Sequence, residues 1–377
     1  MAKNDNLQDF LTDVANSIRT KTGTTELINA QDFSDKILNI SSGENTLKKL
    51  LDTTKNAQYL FSGYKGTSVD DVIQYSDTEN VTNMSYMFNN TFNLTSIPLL
   101  DTSNVTNMRS MFFQCVNITT IPQFNTSNVT EMSSTFTACQ NLTTMPQLDT
   151  SNVTTMSGTF SSCIRLPSIP LLDTSNVTIM SGTFQTCRVL TSIPQFNTSK
   201  VTTMQNMLNG CEALTSVPLL DTSNVTNMQN MFADCQALTS IPQLDTGKVT
   251  NMSSTFHNCF ALTSAPLLNT SNVTTMQGMF YSCVNLTTVP ALNADKVTDM
   301  NNMFRNCRSL KSILMTNIGV NLDISASTQF ERSDLLVILN NLKTVTSSKT
   351  LTMGADNLAK LTDEDKAIAT NKGWTLA

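Results

Sequence analysis

The cysteines are the residues in this chain whose type and spacing come closest to a reactive set. All nine recur at an interval of 24 residues, and none belongs to a Cys-x-x-Cys pair. The chain has a single histidine, so the cysteines lack the imidazole partners of common zinc sites. An odd, evenly spaced ladder also has no natural pairing into disulfides. We therefore expect buried, reduced, space-filling thiols at all nine positions. They are Cys115, Cys139, Cys163, Cys187, Cys211, Cys235, Cys259, Cys283 and Cys307.

His257 is the second residue that could take part in catalysis. It stands two residues before a cysteine, at a position that other units fill with Asn, Phe, Thr, Ser, Gln, Ala, Tyr or Arg. A position that accepts all of these types is predicted to be exposed and unconstrained. Neither a partner base or nucleophile, nor a phosphate-binding glycine loop, nor a pair of catalytic carboxylates stands out. The sequence predicts no catalytic residue, no metal ligand and no cofactor.

A recurring Asp or Asn at the turn between units could form a ladder for calcium. The two residue types interchange freely at this position, and both form Asx turns with the backbone two residues on. A structural turn is therefore favoured, with calcium binding as the alternative. The column consists of Asp101, Asn125, Asp149, Asp173, Asn197, Asp221, Asp245, Asn269 and Asn293.

Composition argues against several functional classes. Charged residues make up 14% of the chain, hydrophobic residues make up 40%, and the formal net charge is −6. An acidic chain lacks the basic face that nucleic-acid binding requires, whereas the hydrophobic content is sufficient for a packed core. No apolar run is long enough for a transmembrane helix, and the first residues have no apolar signal-peptide core. We expect no membrane insertion and synthesis in a reducing cytoplasm.

A repeat of 24 residues must position all of these side chains. Ten consecutive units follow, with few exceptions, the pattern Val-Thr-x-Met-x-x-Met/Thr-Phe-x-x-Cys-x-x-Leu-Thr-x-Ile-Pro, and residues of the Asp-Thr-Ser-Asn type close each unit. A single unit cannot bury its apolar face without neighbours, so a fixed period predicts stacked coils with a shared core. The pattern predicts an α/β repeat solenoid over residues 81–316.

Two local patterns predict the walls of each coil. The Leu-Thr-Ser-Ile stretch alternates between apolar and polar residues and precedes a proline, which predicts a short strand that pairs in parallel with its neighbours. The Met-x-x-Met-Phe-x-x-Cys stretch has apolar spacings of three and four, which predicts a helical turn on the opposite wall.

The segments that flank the array are expected to cover its ends. Residues 1–43 are predicted to form a small helical module for attachment or oligomerisation. Residues 44–80 are predicted to form a degenerate coil, in which Leu60 and Tyr64 take the places of the Met and the Phe.

Residues 317–377 are predicted to form a helical C-terminal cap. Helix-capping signals predict one helix that starts at Ser333 and a second helix that follows Thr362. Residues 373–376 could add a closing strand.

The repeating unit resembles the BspA-like bacterial surface leucine-rich repeat family over residues 81–316. The resemblance implies a leucine-rich-repeat-type solenoid that serves as a binding scaffold and has no enzymatic site of its own. The family is typical of bacterial surfaces, lipoproteins, and phage or prophage tail proteins. Residues 11–23 and 357–374 also resemble segments of phage tail-associated proteins. Because no export signal or surface anchor is evident, we expect the phage tail-associated branch and a location in the virion. The bacterial cell surface is the alternative.

The side chains that vary between units are the candidate binding residues. Most positions repeat, but those that flank the cysteine carry aromatic, apolar and charged residues, which should project as one ridge. Exposed aromatic and arginine side chains on a rigid scaffold are typical of binding hot spots. The Thr and Ser pairs of the predicted strands form an alternative, flat hydroxyl face that would suit sugars. The candidate partner-binding ridge is Phe92, Phe113, Val116, Ile164, Arg165, Arg188, Glu212, His257, Phe260, Tyr281, Val284, Arg305 and Arg308.

The expected function is therefore binding and not catalysis. The sequence favours a phage virion component of the tail-fibre or adhesin type that recognises a protein or glycan on the host cell surface. Other virion proteins would bind the N-terminal module, and formation of a homo-oligomer stays open. The alternatives are a structural head or tail decoration protein and a bacterial cell-surface adhesin.

Overall fold

The computed structural model describes residues 46–70 and 73–377 of the chain. The chain divides into two compact units, the first ending at Leu166 and the second comprising Pro167–Ala377. Within each unit, successive 24-residue coils are joined by parallel bridges and backbone hydrogen bonds, so the predicted repeat solenoid is confirmed. The helical module expected in residues 1–43 lies outside the described residues.

Regular secondary structure in the described residues is short. The strands pair in parallel, as a two-stranded sheet of order β1-β2 and a three-stranded sheet of order β3-β4-β5. None of the described helices is long and apolar enough to cross a membrane. The elements are α1 (Thr46–Thr54), the 3-10 helix η1 (Tyr75–Asp77), β1 (Thr288–Val289), β2 (Ser312–Ile313), β3 (Leu322–Asp323), α2 (Arg332–Asn340), β4 (Lys349–Thr352), α3 (Ala355–Leu358), α4 (Asp363–Thr370) and β5 (Trp374–Leu376).

The segment from the first Met to the Cys of each coil, hereafter the Met–Phe wall, is a series of turns. Asn230 and Asp234 have φ values of 54° and 59°, in the left-handed region that a right-handed helix excludes. The N–H of Phe232 donates to the carbonyl of Thr255 in the next coil at 3.0 Å, whereas the N–H of Cys235 closes a turn onto Phe232 at 3.2 Å. The predicted helical turn was wrong, because alternate N–H groups bond to the next coil and not within one helix.

Parallel bridges between coils lie just before the Met–Phe wall. In the second unit, the residue between Thr and Met bridges from coil to coil at Asn227, Asn251 and Thr275. At the predicted Leu-Thr-Ser-Ile strands, a two-residue ladder forms between β1 and β2, with Thr288 opposite Ser312. Proline follows this stretch and has no N–H to donate. The strand prediction therefore holds for β1 and β2, while the repeated bridges lie on a different segment.

The apolar positions of the repeat stack as buried columns, as predicted. Phe256 is 1% exposed, and its ring lies 5.7 Å from the Phe232 ring and 5.5 Å from the Phe280 ring. The rings are nearly parallel, with interplanar angles of 2° and 12°. The Val, first Met and Cys positions of the same coil are fully buried at Val249, Met252 and Cys259. Apolar burial of this kind is the main stabilising term available to the coils.

The segment from the Pro to the following Asp-Thr or Asn-Thr is hereafter called the Pro wall. Its side chains point alternately to solvent and to the core. Leu219 and Asp221 are exposed, whereas Leu220 and Thr222 are buried. Thr222 Oγ1 donates to the carbonyl of Asp245 in the next coil at 2.6 Å, and the same bond recurs in neighbouring coils. The buried threonine thus joins successive coils where proline limits backbone pairing.

The first described coil contains the predicted degenerate unit, with one correction. Phe61, and not Tyr64, occupies the Phe column, because its ring stacks on Phe88 at 5.4 Å. Tyr64 lies against the edge of Phe61 at 6.2 Å. Leu60 is buried and takes the place of a Met, as expected.

Both helices indicated by the C-terminal sequence are present, and one starts earlier than predicted. Helix α2 begins at Arg332 after the N-cap Glu331, and not at Ser333. Helix α4 follows Thr362, whose Oγ1 accepts a hydrogen bond from the N–H of Asp365. The Arg332 guanidinium donates two bonds of 2.7 Å to Asp365, and these bonds lower the pKa of that carboxyl group.

Candidate binding surface

The cysteine column is part of the core and not a reactive site. All nine cysteines are free and buried, as predicted. Cys259 Sγ donates to the carbonyl of Phe232 in the preceding coil at 3.1 Å. Burial raises the pKa of the Cys115 thiol to about 12 and raises that of Cys139 well above its ordinary value. These thiols are therefore protonated near neutral pH and are poor nucleophiles and metal ligands.

The Asp/Asn column forms Asx turns, as predicted. Asp221 Oδ1 accepts from Ser223 Oγ at 2.6 Å and from the Ser223 N–H at 3.0 Å, and these bonds lower the pKa of Asp221. Asn197 makes the same two bonds to Ser199, which explains why Asp and Asn interchange. Across residues 46–70 and 73–377, no group of three His, Cys, Asp or Glu side chains could hold a metal ion.

The side chains of the predicted ridge all reach the surface, but they divide between the two units. Six are exposed, namely Phe92, Arg165, Arg188, Phe260, Arg305 and Arg308. The others are half-buried, namely Phe113, Val116, Ile164, Glu212, His257, Tyr281 and Val284. Those up to Arg165 lie in the first unit, and those from Arg188 onward lie in the second.

In the second unit, three ridge residues form a stacked column. The rings of His257 and Tyr281 are nearly parallel, with centroids 4.5 Å apart. The Arg305 guanidinium lies 5.8 Å from the centroid of Tyr281. Because successive coils cover both faces of Tyr281, a partner would meet ring edges, the tyrosine hydroxyl and the guanidinium. Burial lowers the pKa of His257, and Asp234 opposes this shift, so the imidazole is mainly neutral near pH 7.

Three other ridge residues form paired contacts. Arg188 Nε lies 3.3 Å from Glu212 Oε1 in the second unit, with 57% of the Arg188 side chain and 43% of the Glu212 side chain exposed. In the first unit, the Lys65 ammonium lies 5.9 Å from the centroid of the Phe92 ring. Exposed ion pairs of this kind contribute little to stability, so the residues are free to change without loss of the fold.

A column of exposed leucines on the Pro wall was missed by the sequence interpretation. The residue after the proline that ends the Leu-Thr-x-Ile-Pro stretch is Leu, Gln or Ala, and the leucines at 171, 219 and 267 are 61%, 61% and 55% exposed. Large apolar side chains with this exposure are candidates for contact with a partner. The variation of the column was visible in the sequence. However, Leu219 precedes another Leu, and only the structure shows which of the two points outward.

Two shallow grooves lie between the exposed side chains of the Pro wall. One has a volume of about 850 Å³, and its lining includes Leu219, Gln243 and Leu267. The other, of about 610 Å³, is lined by residues that include Gln195 and Asp221. The second unit therefore offers two distinct surfaces, the stacked column around Tyr281 and the grooved Pro wall.

Several solved structures are similar to this chain. The T. pallidum leucine-rich repeat protein TpLRR is 19% identical with a TM-score of 0.36, and the match covers 49% of this chain and 84% of that protein. An internalin, inlF, from Listeria monocytogenes is 14% identical with a TM-score of 0.29, with coverage of 97% and 94%. The functional domain of InlJ from Listeria monocytogenes, described as including a cysteine ladder, is 14% identical with a TM-score of 0.20, with coverage of 81% and 75%.

Among curated proteins, no sequence matches the chain. One family model matches it repeatedly, in five overlapping segments that together span residues 55–317. The segments are residues 55–168, 115–216, 144–240, 164–268 and 215–317. The matched region includes the whole repeat array of residues 81–316 and more than half of the chain, so the protein belongs to the family described as Mycoplasma protein of unknown function, DUF285.

Proposed function

We propose that this protein is a non-enzymatic binding protein that recognises a protein or glycan on a bacterial cell surface. The observation that supports this function best is the stacked column of His257, Tyr281 and Arg305. Tyrosine and arginine are enriched in binding hot spots, because they combine large contact areas with directional hydrogen bonds. Here they lie on coils that are held in register by hydrogen bonds, so little ordering is required on binding.

We further propose that the protein acts in a phage virion, as a tail-fibre or adhesin-type component. The resemblance of residues 11–23 and 357–374 to phage tail-associated proteins supports this location. In this arrangement residues 1–43 attach the chain to other virion proteins, and the coils of residues 81–316 face the host.

The test is the binding of fluorescently labelled protein to intact cells of candidate host strains. We expect saturable, strain-selective binding by the natural sequence. A triple variant, His257→Ser, Tyr281→Thr and Arg305→Asn, should bind at least about 10-fold more weakly, which corresponds to the loss of one hot-spot contact. Each new residue is a type that this column already contains, so the coils should fold normally.

The matched control is a double variant, Thr239→Ser and Thr263→Ser, on the exposed hydroxyl face of neighbouring coils. It should bind as well as the natural sequence. Equal binding by the triple variant would show that the ridge is not the recognition site. Binding of the natural protein to virions but to no cells would instead identify a structural decoration protein.

A further inference from the structure

The exposed residue after the proline alternates between Leu and either Gln or Ala in successive coils of the second unit, although the buried residues repeat in every coil. Leu219 and Leu267 are largely exposed, and the equivalent positions between and after them are Gln243 and Ala291. The leucines are thus two coils apart, about 10 Å at the usual separation of parallel strands. The face formed by residues 219–224, 243–248, 267–272 and 291–296 is hereafter the Leu–Gln face.

The corner residues of the Leu–Gln face follow the same alternation. The corner residue is Asn224 or Asn272 in the coils with Leu, and Lys248 or Lys296 in the coils with Gln or Ala. The lysines extend back toward the preceding coil, since Lys248 Nζ donates to Asn224 Oδ1 at 2.6 Å and Lys296 Nζ donates to Asn272 Oδ1 at 2.6 Å. An exposed leucine and a corner lysine therefore never occur in the same coil of this face.

The exposed leucines and the residues between them form projections and recesses of matching spacing. The groove of about 850 Å³ lies between Leu219 and Leu267, with Gln243 in its lining. A partner that fills this groove needs an apolar side chain flanked by recesses about 10 Å apart. The Leu–Gln face itself has this spacing.

We propose that the Leu–Gln face is a docking surface for a second copy of this chain. The two copies pair with their coils stacked in opposite directions. The two-fold axis lies in the interface, parallel to the Pro-wall segments, and passes between the Gln243 coil and the Leu267 coil. In this register Leu267 of each copy faces Gln243 of the other, and Leu219 faces Ala291. Each leucine meets a shorter or more polar residue, so the projections of one copy enter the recesses of the other.

The same register keeps like charges apart. The acidic column places Asp245 opposite Asn269, and Asp221 opposite Asn293, because the order of residue types reverses in the antiparallel copy. The corner column likewise places each lysine opposite an asparagine. Asp295 faces Ser223 in this register and is paired within its own copy with Lys343 Nζ at 2.7 Å. No charge on the face therefore meets a charge of its own sign, as self-association requires. A register shifted by one coil toward the N-terminus would instead place Asp221 opposite Asp245.

The test uses the full chain in sedimentation equilibrium over a range of concentrations. Four coils span only about 20 Å, so the interface is small and we expect a concentration-dependent equilibrium between monomer and dimer. Leu267→Gln should raise the dissociation constant at least about 10-fold, since it removes the projection at the centre of the interface. Gln is the residue that the preceding coil has at the same position, so the variant should fold.

Leu171→Gln is the matched control, because Leu171 is equally exposed in the second unit but lies outside the four coils. It should leave the dissociation constant unchanged. A natural protein that stays monomeric at every concentration, or a dimer that Leu267→Gln does not weaken, would overturn the proposal. Equal weakening by both variants would indicate a different register or an unrelated partner surface, and would overturn it as well.

A second pair of variants tests the register through charge. Asn269→Asp places a carboxylate opposite Asp245 and should weaken the dimer, most strongly at low ionic strength. Asn197→Asp makes the same change outside the four coils and should have no effect. If Asn269→Asp leaves the dissociation constant of the dimer unchanged at low salt, this register is excluded. The proposal is independent of cell recognition, because the His257 variants of the binding test leave the Leu–Gln face intact.

Discussion

The two walls of a coil differ in how they join neighbouring coils. In the second unit, the N–H groups of Met228, Asn230, Phe232 and Asp234 on the Met–Phe wall all donate to carbonyl groups of the next coil. On the Pro wall of the preceding turn, the side chain of Thr222 makes the connection. On both walls the buried side chains are kept from coil to coil and the outer side chains vary: His257, Tyr281 and Arg305 lie on the outer side of the Met–Phe wall, and the exposed leucines lie on the outer side of the Pro wall. The two walls thus differ in how they are bonded, while each separates a regular core side from a variable outer side.

The largest expected contrast concerns the cysteines that close the Met–Phe wall. At pH 8 the folded protein should leave all nine thiols unmodified by iodoacetamide, because burial keeps them protonated and inaccessible. Intact mass measured after treatment in guanidinium should show nine added groups. Rapid modification of any thiol in the folded protein would mean that this wall opens locally, contrary to its dense bonding.

The next largest effect should come from the buried aromatic column of the Met–Phe wall. Phe256→Ala removes a fully buried ring between two stacked neighbours and should lower the free energy of unfolding by about 3–5 kcal/mol. Urea denaturation followed by circular dichroism measures the change. On the Pro wall, the exposed Leu219→Ala should change stability by less than about 0.5 kcal/mol. Similar losses in both variants would contradict the assignment of Phe256 to the core side of one wall and Leu219 to the outer side of the other.

The buried threonine of the Pro wall should have an intermediate effect. Thr222→Val removes the bond to the Asp245 carbonyl and should destabilise the protein by about 1 kcal/mol. Thr126 is the natural control, because its buried Oγ1 has no hydrogen-bond partner. Thr126→Val should be neutral or slightly stabilising, since a buried unpaired hydroxyl is removed. A loss as large as that of Thr222→Val would show that packing, and not the hydrogen bond, determines the cost.

The smallest effect is expected in the Asx turn. Asp221→Asn keeps the acceptor for Ser223 and should change stability at pH 7 by less than about 0.5 kcal/mol. The pKa of Asp221 is lowered in the folded state, so its contribution is present above the ordinary value of 3.8 and is lost as pH falls through the folded pKa. Thermal unfolding of both proteins from pH 7 to pH 3 should converge at the acid end. A difference that grows on acidification would contradict the assigned role.

Much of the architecture could be predicted because the same pattern of residue types occurs in ten consecutive units. The buried columns, the free thiols and the Asx turns all follow from residue types that recur at one interval, and stacking places equal residues over one another. The variability of the column predicted exposed, unconstrained side chains, which holds for Arg305, whereas His257 and Tyr281 are half-buried because their rings stack on each other. Their interaction as a stack also depends on ring orientation, which the spacing alone does not specify.

The errors have a common physical origin in the backbone. Apolar spacings of three and four are compatible with a helical turn and equally with the turns of the Met–Phe wall, since both bury Met231, Phe232 and Cys235. Left-handed φ values at Asn230 and Asp234 distinguish the two, and they arise because alternate N–H groups bond to the next coil. Likewise Phe61 and Tyr64 are both plausible members of the Phe column until the stacked ring of Phe88 is in place.

The sequence by itself thus determined the coil length, the residues of the core and the repeat-solenoid class of the fold. Only the tertiary structure decided which backbone groups join the coils, and that Leu219 points outward while Leu220 points inward. The reason is that a repeat specifies which side chains are stacked, whereas the direction of each side chain depends on hydrogen bonds to the neighbouring coil. The Leu–Gln face exists because of that second set of constraints.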